Sequence, residues 1–482
     1  MRARLPTTAA AAVRAMVVAL LPLLPHRSRG LDNANGAFGE PGLPWRRPRR
    51  EVLLLALVAA ATLTPVFGID AQDVSRLCLT RALVHLNLSN DRCFETPYAR
   101  DESIYRGHVY SDKAPGMSVL ELPAAVAVRL PNPQSWPYEG LRLWAVRVLS
   151  SGLALIVCAF LVGRISEGLA PGYGGVALVA FALGTLVAPF GAANFEHGTA
   201  GTLGLAAFAL AWRRRPLGAG LAAGAALDVA YEALIIVAIV GVYVLLTQGR
   251  RPILDYACGC LPGAALLGAY NWAAFGAPWH FSYDYKSAEF AARQSSGLFG
   301  IHLPYLHAVD LVFTGRGGLL VISPVVVAAG YGLVLLGRAH RAEAIACAAV
   351  TLAFLFLNCG YFDPYGGLSP GPRFLIPALP FLALGLGPAF ASRFRIATAL
   401  AALSIVPMTA LTLTWANSAP DQGSIWHDVE RLPTQLGNSW LAQTLTNNVL
   451  HLAGVGRPAT GAIVALAAAA AFALALPLTY RK

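Results

Sequence analysis

Long apolar segments constrain the fold of this chain more than any other feature of its sequence. Runs of about twenty residues rich in Ala, Leu, Val and Gly recur between residues 52 and 478, and a helix of that length can cross a bilayer. The mean hydropathy is +0.57, and 13% of the residues are charged. The runs lack the alternating pattern of barrel strands. They therefore predict an all-α polytopic membrane helical bundle of about twelve spans, with an outer-face loop domain that carries interfacial helices.

Short basic clusters between the apolar segments predict the orientation of the spans. The clusters lie at residues 46–50, 213–215, 250–251, 338–341, 393–395 and 481–482. With about twelve alternating spans, the positive-inside rule places all of them on the cytoplasmic face and the long polar loops on the outer face. The net charge of +11 then reflects membrane topology, so we expect no nucleic-acid partner. The expected location is the cytoplasmic membrane, among its lipids.

We expect three regions along the chain. Residues 1–50 contain an apolar run of only about ten residues, too short to span, and are predicted to be a disordered cytoplasmic arm. Residues 51–415 form the transmembrane module, whose first outer loop is 69–116. Residues 416–482 add an outer loop and a final span.

Two segments depart from simple spans. Met117–Leu130 is apolar but contains Glu121, so we predict an interfacial helix on the outer surface, with a span as the alternative. Near Tyr231 two short spans meet, and Asp228 and Glu232 lie there within the apolar zone. Such acids are functional candidates, although they could also cap the two short helices.

Charged residues are concentrated in the first outer loop, 69–116. They are Asp70, Asp73, Arg76, Arg81, Asp91, Arg92, Glu95, Arg100, Asp101, Glu102, Arg106, Asp112 and Lys113. A long polar loop between spans is usually functional, because ordering its backbone costs entropy that must be repaid. A solvated loop without function is the alternative. Cys78 and Cys93 in this loop could form a disulfide in an oxidising space or remain two free thiols.

Asp73 and Arg76 form the first candidate pair. If a helix begins there, the spacing of three places both side chains on one face. The arginine could then keep the carboxylate ionised and ready to accept a proton, or contact a phosphate. An exposed ion pair in a wet outer loop, which contributes little to stability, is the alternative.

The second candidate is the element Asp112-Lys113-Ala114-Pro115-Gly116. Pro115 and Gly116 predict a turn at the foot of the interfacial helix, which would hold Lys113 at the height of the lipid headgroups. A lysine in that position can meet the phosphate of a lipid substrate as a point charge. It could equally bind ordinary anionic lipid.

Together these elements resemble a known superfamily. An Asp-x-x-Arg just after the first span, a polar outer loop and a Tyr-x-x-Lys-x-Pro element are similar to the pattern of the GT-C superfamily of polyprenyl-phosphate-dependent membrane glycosyltransferases, including aminoarabinose transferases and protein O-mannosyltransferases. The block Gly107–Gly116 resembles a bacterial branch more closely, as do Arg316–Pro324 and Gly366–Arg373. The resemblance covers about residues 50–415.

The resemblance implies transfer of a sugar from a polyprenyl-phosphate donor to a glycan, lipid or protein acceptor at the outer face. It assigns the catalytic carboxylate to Asp73 and a second catalytic acid to Glu196, or to its neighbour His197. It places Lys113 against the donor phosphate. It implies no certain cofactor but leaves a divalent metal open, with Asp112 near it.

The remaining candidates for substrate binding are less specific. They are Arg76, His108, Tyr110, Asp112, His197, Arg316 and Arg373. Arg316 and Arg373 lie beside glycines at expected span ends and could contact a phosphate, or serve only as anchors.

Two other classes of protein compete with an enzyme. A secondary transporter also has many spans and intramembrane acids, but it should show repeat symmetry and charges near the midplane. Here the charges lie mostly in predicted outer loops. A non-catalytic scaffold protein of the envelope is the other alternative.

Overall fold

The computed structural model describes residues 48–93, 101–133, 140–286, 301–315, 317–367, 369–414 and 447–477. Nearly all of the expected arm 1–50 lies outside these ranges, as does much of 416–482. The division of the chain into three regions therefore stays a prediction.

The described chain is almost entirely helical. In chain order the helices are α1 (Pro48–Thr62), α2 (Ala71–Val84), α3 (Gly116–Val128), α4 (Gly140–Arg147), α5 (Leu153–Leu169), α6 (Gly174–Gly184), α7 (Glu196–Trp212), α8 (Pro216–Val229), α9 (Leu234–Gln248), α10 (Arg250–Phe275), α11 (Leu306–Phe313), α12 (Leu319–Ile322), α13 (Val325–Leu336), α14 (Arg341–Gly360), α15 (Leu379–Ala383), α16 (Leu386–Ser392), α17 (Phe394–Thr414), α18 (Val449–Leu452) and α19 (Arg457–Ala475). A π-helical turn, Val148–Gly152, joins α4 and α5 into one continuous helix. Short 3₁₀ turns are Asp91–Cys93, Tyr231–Ala233, Ser282–Tyr285 and Arg373–Ala378.

Within the described ranges, six helices are long and apolar enough to cross a membrane. They are Gly140–Leu169, Tyr231–Gln248, Arg250–Phe275, Arg341–Gly360, Phe394–Leu413 and Arg457–Ala475. A pair bent by 55°, Arg373–Ala383 with Leu386–Ser392, could add a seventh. The protein is therefore a multi-pass membrane protein of the predicted helical class, but the predicted count of about twelve spans is not confirmed.

The shorter apolar helices explain the difference in count. Residues 173–192 are one of the apolar runs of about twenty residues, but α6 ends at Gly184 and turns follow, because Pro189 and Gly191 do not favour a continued helix. At Ala230 the chain breaks between α8 and α9, near the predicted meeting point of two short spans at Tyr231. Of the two segments, only Tyr231–Gln248 is long enough to cross a membrane, and α8 is shorter.

The first outer loop is folded rather than extended. After α2, a hairpin that the sequence analysis did not predict pairs β1 (Glu102–Tyr105) with β2 (His108–Ser111), with Glu102 opposite Ser111. Its two-residue turn, Arg106-Gly107, has positive φ at both positions, the geometry that matches the twist of the strands.

A disulfide joins Cys78 of α2 to Cys93. This resolves the alternative that the sequence left open. The bond ties α2 to the turn at Asp91, whose carboxylate accepts hydrogen bonds from the hairpin.

Helix α3 begins where Met117–Leu130 predicted an interfacial helix. Its Glu121 is fully buried and accepts a hydrogen bond from Thr80 Oγ1 of α2 at 2.6 Å. At its first residue, Gly116, a Cβ atom would collide with the backbone of Asp228. The glycine thus lets α3 pack directly against the end of α8.

Candidate active site

Helix α2 begins at the candidate site and presents Asp73 on its first turn. Asp70 and Asp73 form a capping box, in which each carboxylate accepts from the backbone N–H of the other. Asp73 is only 2% exposed. Its carboxylate pairs with the buried guanidinium of Arg147, which donates from Nε at 2.9 Å and from Nη2 at 2.7 Å.

This arrangement corrects two expectations about Asp73. The residue does not lie in a wet loop, and its partner is not Arg76. Arg147 reaches it from α4 and also donates to the carbonyls of Phe67 (2.6 Å) and Gly68 (3.0 Å). The ends of two helices and the chain before α2 therefore enclose the carboxylate.

Burial raises the pKa of Asp73 to about 7, while the Arg147 guanidinium acts in the opposite direction. The neighbouring carboxylate of Asp70 adds to the rise. A carboxylate that titrates near neutral pH is matched to general-base work.

Arg76, one turn further along α2, forms an ion pair with Glu196. It also donates to the carbonyl oxygen of Asn194 at 2.9 Å and to Gln72 Oε1 at 2.9 Å. Glu196 is the first residue of α7, where the helix dipole favours a carboxylate. Two candidates that are 120 positions apart in the chain are thus in direct contact.

Glu196, His197 and Glu232 form a compact group that could hold a metal ion. Their ligand atoms all lie within 4.8 Å of one another, and His197 Nδ1 is 3.0 Å from Glu232 Oε1. Two carboxylates and an imidazole are ligands that several divalent transition metals accept. The break between α8 and α9 supplies Glu232 to this candidate metal-binding group.

Lys113 lies in a second cluster on the other side of Gln72. Its Nζ is 3.0 Å from Asp101 Oδ2 and 3.1 Å from Asp112 Oδ1, and Gln72 Nε2 donates to Asp101 at 2.6 Å. Lys286, from the segment after α10, lies 3.2 Å from Asp112 Oδ2. The resemblance placed Asp112 near a metal, but in the structure two ammonium groups surround it.

The charges of this cluster stabilise one another. Burial works to lower the pKa of Lys113, but the carboxylates of Asp101 and Asp112 raise it above its ordinary value. Burial works to raise the pKa of Asp112, yet Lys113 and Lys286 lower it to about 2. Both groups are therefore charged at neutral pH and engaged with each other.

Arg373 differs from these cations. It is 8% exposed, and in the part of the chain that the structure describes no hydrogen-bond acceptor contacts its guanidinium. Its Cζ instead lies over two aromatic rings, 5.2 Å from the centroid of Phe195 and 5.6 Å from that of Phe374. Phe195 directly precedes Glu196, so this cation borders the candidate metal-binding group.

The structure separates the other predicted residues from this group or does not describe them. His108 is exposed on β2, 3.2 Å from Asp91 Oδ2. Tyr110 packs on Phe275 in an aromatic cluster, with ring centroids 5.2 Å apart. Arg316 lies outside the described residues.

Sequence reasoning missed Arg147 and Asp101. Arg147 is one of two arginines, with Arg142, in the apolar segment 141–163, and a charge in such a segment was the available signal, because charges there usually serve a purpose. Asp101 is one acid among several in a charged loop, and no local pattern distinguishes it.

Comparisons with known proteins agree with the fold. No family model and no curated protein matches the sequence. The structure is similar to ArnT from Cupriavidus metallidurans, which was solved bound to undecaprenyl phosphate, with 14% identity, a TM-score of 0.51 and coverage of 88% of this chain and 75% of ArnT. The archaeal oligosaccharyltransferase AglB from Archaeoglobus fulgidus, in complex with an inhibitory peptide and a dolichol-phosphate, aligns at 13% identity and a TM-score of 0.45, over 81% of this chain and 58% of AglB. The likeness to ArnT confirms the predicted GT-C-type membrane fold.

Proposed function

We propose that the protein is a membrane glycosyltransferase that moves a sugar from a polyprenyl-phosphate donor to a glycan, lipid or protein acceptor at the outer face of the cytoplasmic membrane. The observation that carries the proposal is the buried guanidinium of Arg373, which no acceptor contacts among the described residues. A buried charge without a partner is costly, so such a cation is best explained by an anionic ligand. The bound undecaprenyl phosphate of ArnT, which shares the fold, supports a lipid phosphate as that ligand.

Asp73 is the proposed general base. Its carboxylate takes the proton from the acceptor hydroxyl as that oxygen attacks the anomeric carbon of the sugar. The bond between the anomeric carbon and the phosphate oxygen breaks, and the polyprenyl phosphate leaves with the electron pair. Because a phosphate is a good leaving group, no second acid has to protonate it, and inversion at the sugar follows from direct displacement.

We also propose that Glu196, His197 and Glu232 hold a divalent cation. When bound, the ion would neutralise negative charge on the donor phosphate. Binding can be measured by titrating Zn²⁺ or Mn²⁺ into the purified protein and recording the shift in melting temperature. The shift should be lost in Glu232→Gln, and an equal shift in that variant would remove Glu232 from the site.

The outer-face location is supported by the disulfide between Cys78 and Cys93, because disulfides persist in oxidising compartments. Labelling a cysteine introduced at Ile104, which is 51% exposed on β1, or at Arg214 with a membrane-impermeant reagent tests it. We expect labelling from outside only at position 104, and labelling at 214 instead would reverse the proposed orientation.

The donor assignment is tested by binding in detergent micelles. The protein should bind undecaprenyl phosphate and not the neutral alcohol undecaprenol, and Arg373→Met should abolish the preference. Equal binding of the phosphate and the alcohol by the wild-type protein would overturn the proposed donor class.

A further inference from the structure

The ring of Phe195 lies beneath two guanidinium groups. The Cζ atom of Arg76 is 6.0 Å from its centroid and that of Arg373 is 5.2 Å away. Arg76 has a carboxylate partner in Glu196, whereas Arg373 has the aromatic rings. The negative face of an aromatic ring attracts a cation, and more strongly where water is excluded.

Aromatic faces hold a cation without neutralising it. A carboxylate beside Arg373 would fix the guanidinium but would also compete with an incoming anion. Phe195 and Phe374 contact the guanidinium without accepting its hydrogen bonds, and its buried Nε has no acceptor among the described residues, so its N–H groups can donate to a ligand.

The surroundings of the two rings fix them in place. Phe195 is buried against Phe190, with ring centroids 4.9 Å apart, and its carbonyl accepts from Ser151 Oγ at 3.4 Å. At Gly366 the chain has φ +78°, and a Cβ there would lie 2.7 Å from the Phe374 ring and 2.9 Å from Arg373 Nε. The glycine therefore provides the space in which the arginine lies over the rings.

We infer that Phe195 and Phe374 are positioning residues that hold Arg373 as an uncompensated cation for the phosphate of the lipid donor. The inference rests on the proposed function. It adds that affinity for the donor phosphate depends on two phenyl rings that themselves need not touch the phosphate.

Phe195→Leu tests this inference against Phe190→Leu, a matched control. Both residues are buried and in contact, but no guanidinium lies over the Phe190 ring among the described residues. The loss of a desolvated cation–π contact should weaken binding of undecaprenyl phosphate about tenfold in Phe195→Leu. In Phe190→Leu the affinity should stay within about twofold, because that variant loses packing alone.

A second pair of variants uses Phe374, which is only half-buried and tolerates change better. Phe374→Leu should weaken binding severalfold, and Phe374→Tyr, which keeps the ring, should restore it. At saturating donor both leucine variants should keep near-normal kcat, because the effect is on donor binding, seen as a higher KM.

The outcomes separate this inference from the proposed function. If the wild-type protein prefers undecaprenyl phosphate over undecaprenol and both Phe195→Leu and Phe374→Leu keep that affinity, the inference alone is wrong. Equal losses in Phe195→Leu and Phe190→Leu would show a packing role and also overturn it. If Phe195→Leu does not fold, the Phe374 pair decides. If the wild-type protein shows no preference, both the inference and the proposed donor fail.

Discussion

Lys113 and Arg373 are both buried cations near the start of α2, but their surroundings differ. Lys113 lies within 3.1 Å of two carboxylates, whereas Arg373 lies over two phenyl rings and no acceptor among the described residues contacts it. From the sequence, both residues were candidates to contact the donor phosphate, and Lys113 was the more specific of the two. The structure indicates that Lys113 is already neutralised within the protein.

The difference separates a structural charge from a binding charge. Asp101 and Asp112 keep Lys113 charged and help to hold the hairpin and the turn before α3 against α2. Among the described residues Arg373 has no carboxylate partner, which is why we propose that its charge serves a ligand. A paired buried cation adds mainly to stability when its geometry is good, and an unpaired one is costly until an anion arrives.

Replacing Lys113 with methionine tests most directly whether this lysine is a structural cation. Lys113→Met would leave the buried carboxylates of Asp101 and Asp112 without their shared partner. We expect a loss of about 3–5 kcal/mol in the free energy of unfolding, the range for one member removed from a buried pair. Thermal unfolding of the purified protein measures it. A stable variant with weakened donor binding would instead restore Lys113 as the phosphate contact.

Asp73→Asn tests the general base. The change keeps the shape and one acceptor oxygen but removes the basicity. Turnover should fall by roughly a hundredfold or more, the usual contribution of positioned proton transfer. Transfer of labelled sugar in proteoliposomes measures it.

Asp70→Asn is the control for Asp73, because asparagine is an equally good helix N-cap. It should keep most of the activity. Full activity in Asp73→Asn together with an inactive Asp70→Asn would identify Asp70 as the catalytic carboxylate.

Arg373→Met tests whether Arg373 binds the donor without adding to stability. Removing an unpaired buried charge should not lower the melting temperature, in contrast to Lys113→Met. Donor affinity should fall by on the order of 1.5–3 kcal/mol, the range for hydrogen bonds to charged groups. A melting temperature that falls as far as in Lys113→Met would mean that Arg373 is a structural cation as well.

Local spacing was enough to predict part of the site. A helix that begins near Asp73 and carries Arg76, and a turn at Pro115-Gly116 that holds Lys113, follow from residues close in the chain. The pairing of Asp73 with Arg147 and of Arg76 with Glu196 could not be predicted, because 74 and 120 positions of chain separate the partners and only packing brings them together.

The fold, like the site, could be predicted from the sequence only in part. Apolar runs identified the membrane-helical class, because hydrophobicity alone decides which segments can enter a bilayer. They did not give the number of spans, since a helix end such as that at Gly184 depends on turns that composition does not reveal. The hairpin was missed because its two strands have only four residues each.

The last prediction concerns pH and compares two buried aspartates. Two lysines lower the pKa of Asp112 to about 2, whereas burial raises that of Asp73 to about 7 despite Arg147. A general base works in its deprotonated form, which is populated above its pKa. Turnover at saturating donor should therefore be highest above pH 7 and fall about tenfold for each unit below it.

The donor itself should not produce this limb, because a sugar linked through phosphate to a lipid is a diester with no second ionisation near neutral pH. Asp112 cannot produce it either, since its pKa of about 2 lies far below the measured range. The residual turnover of Asp73→Asn should consequently show no acid limb around pH 7. If the variant keeps the limb, another group carries the proton and Asp73 serves only to hold Arg147.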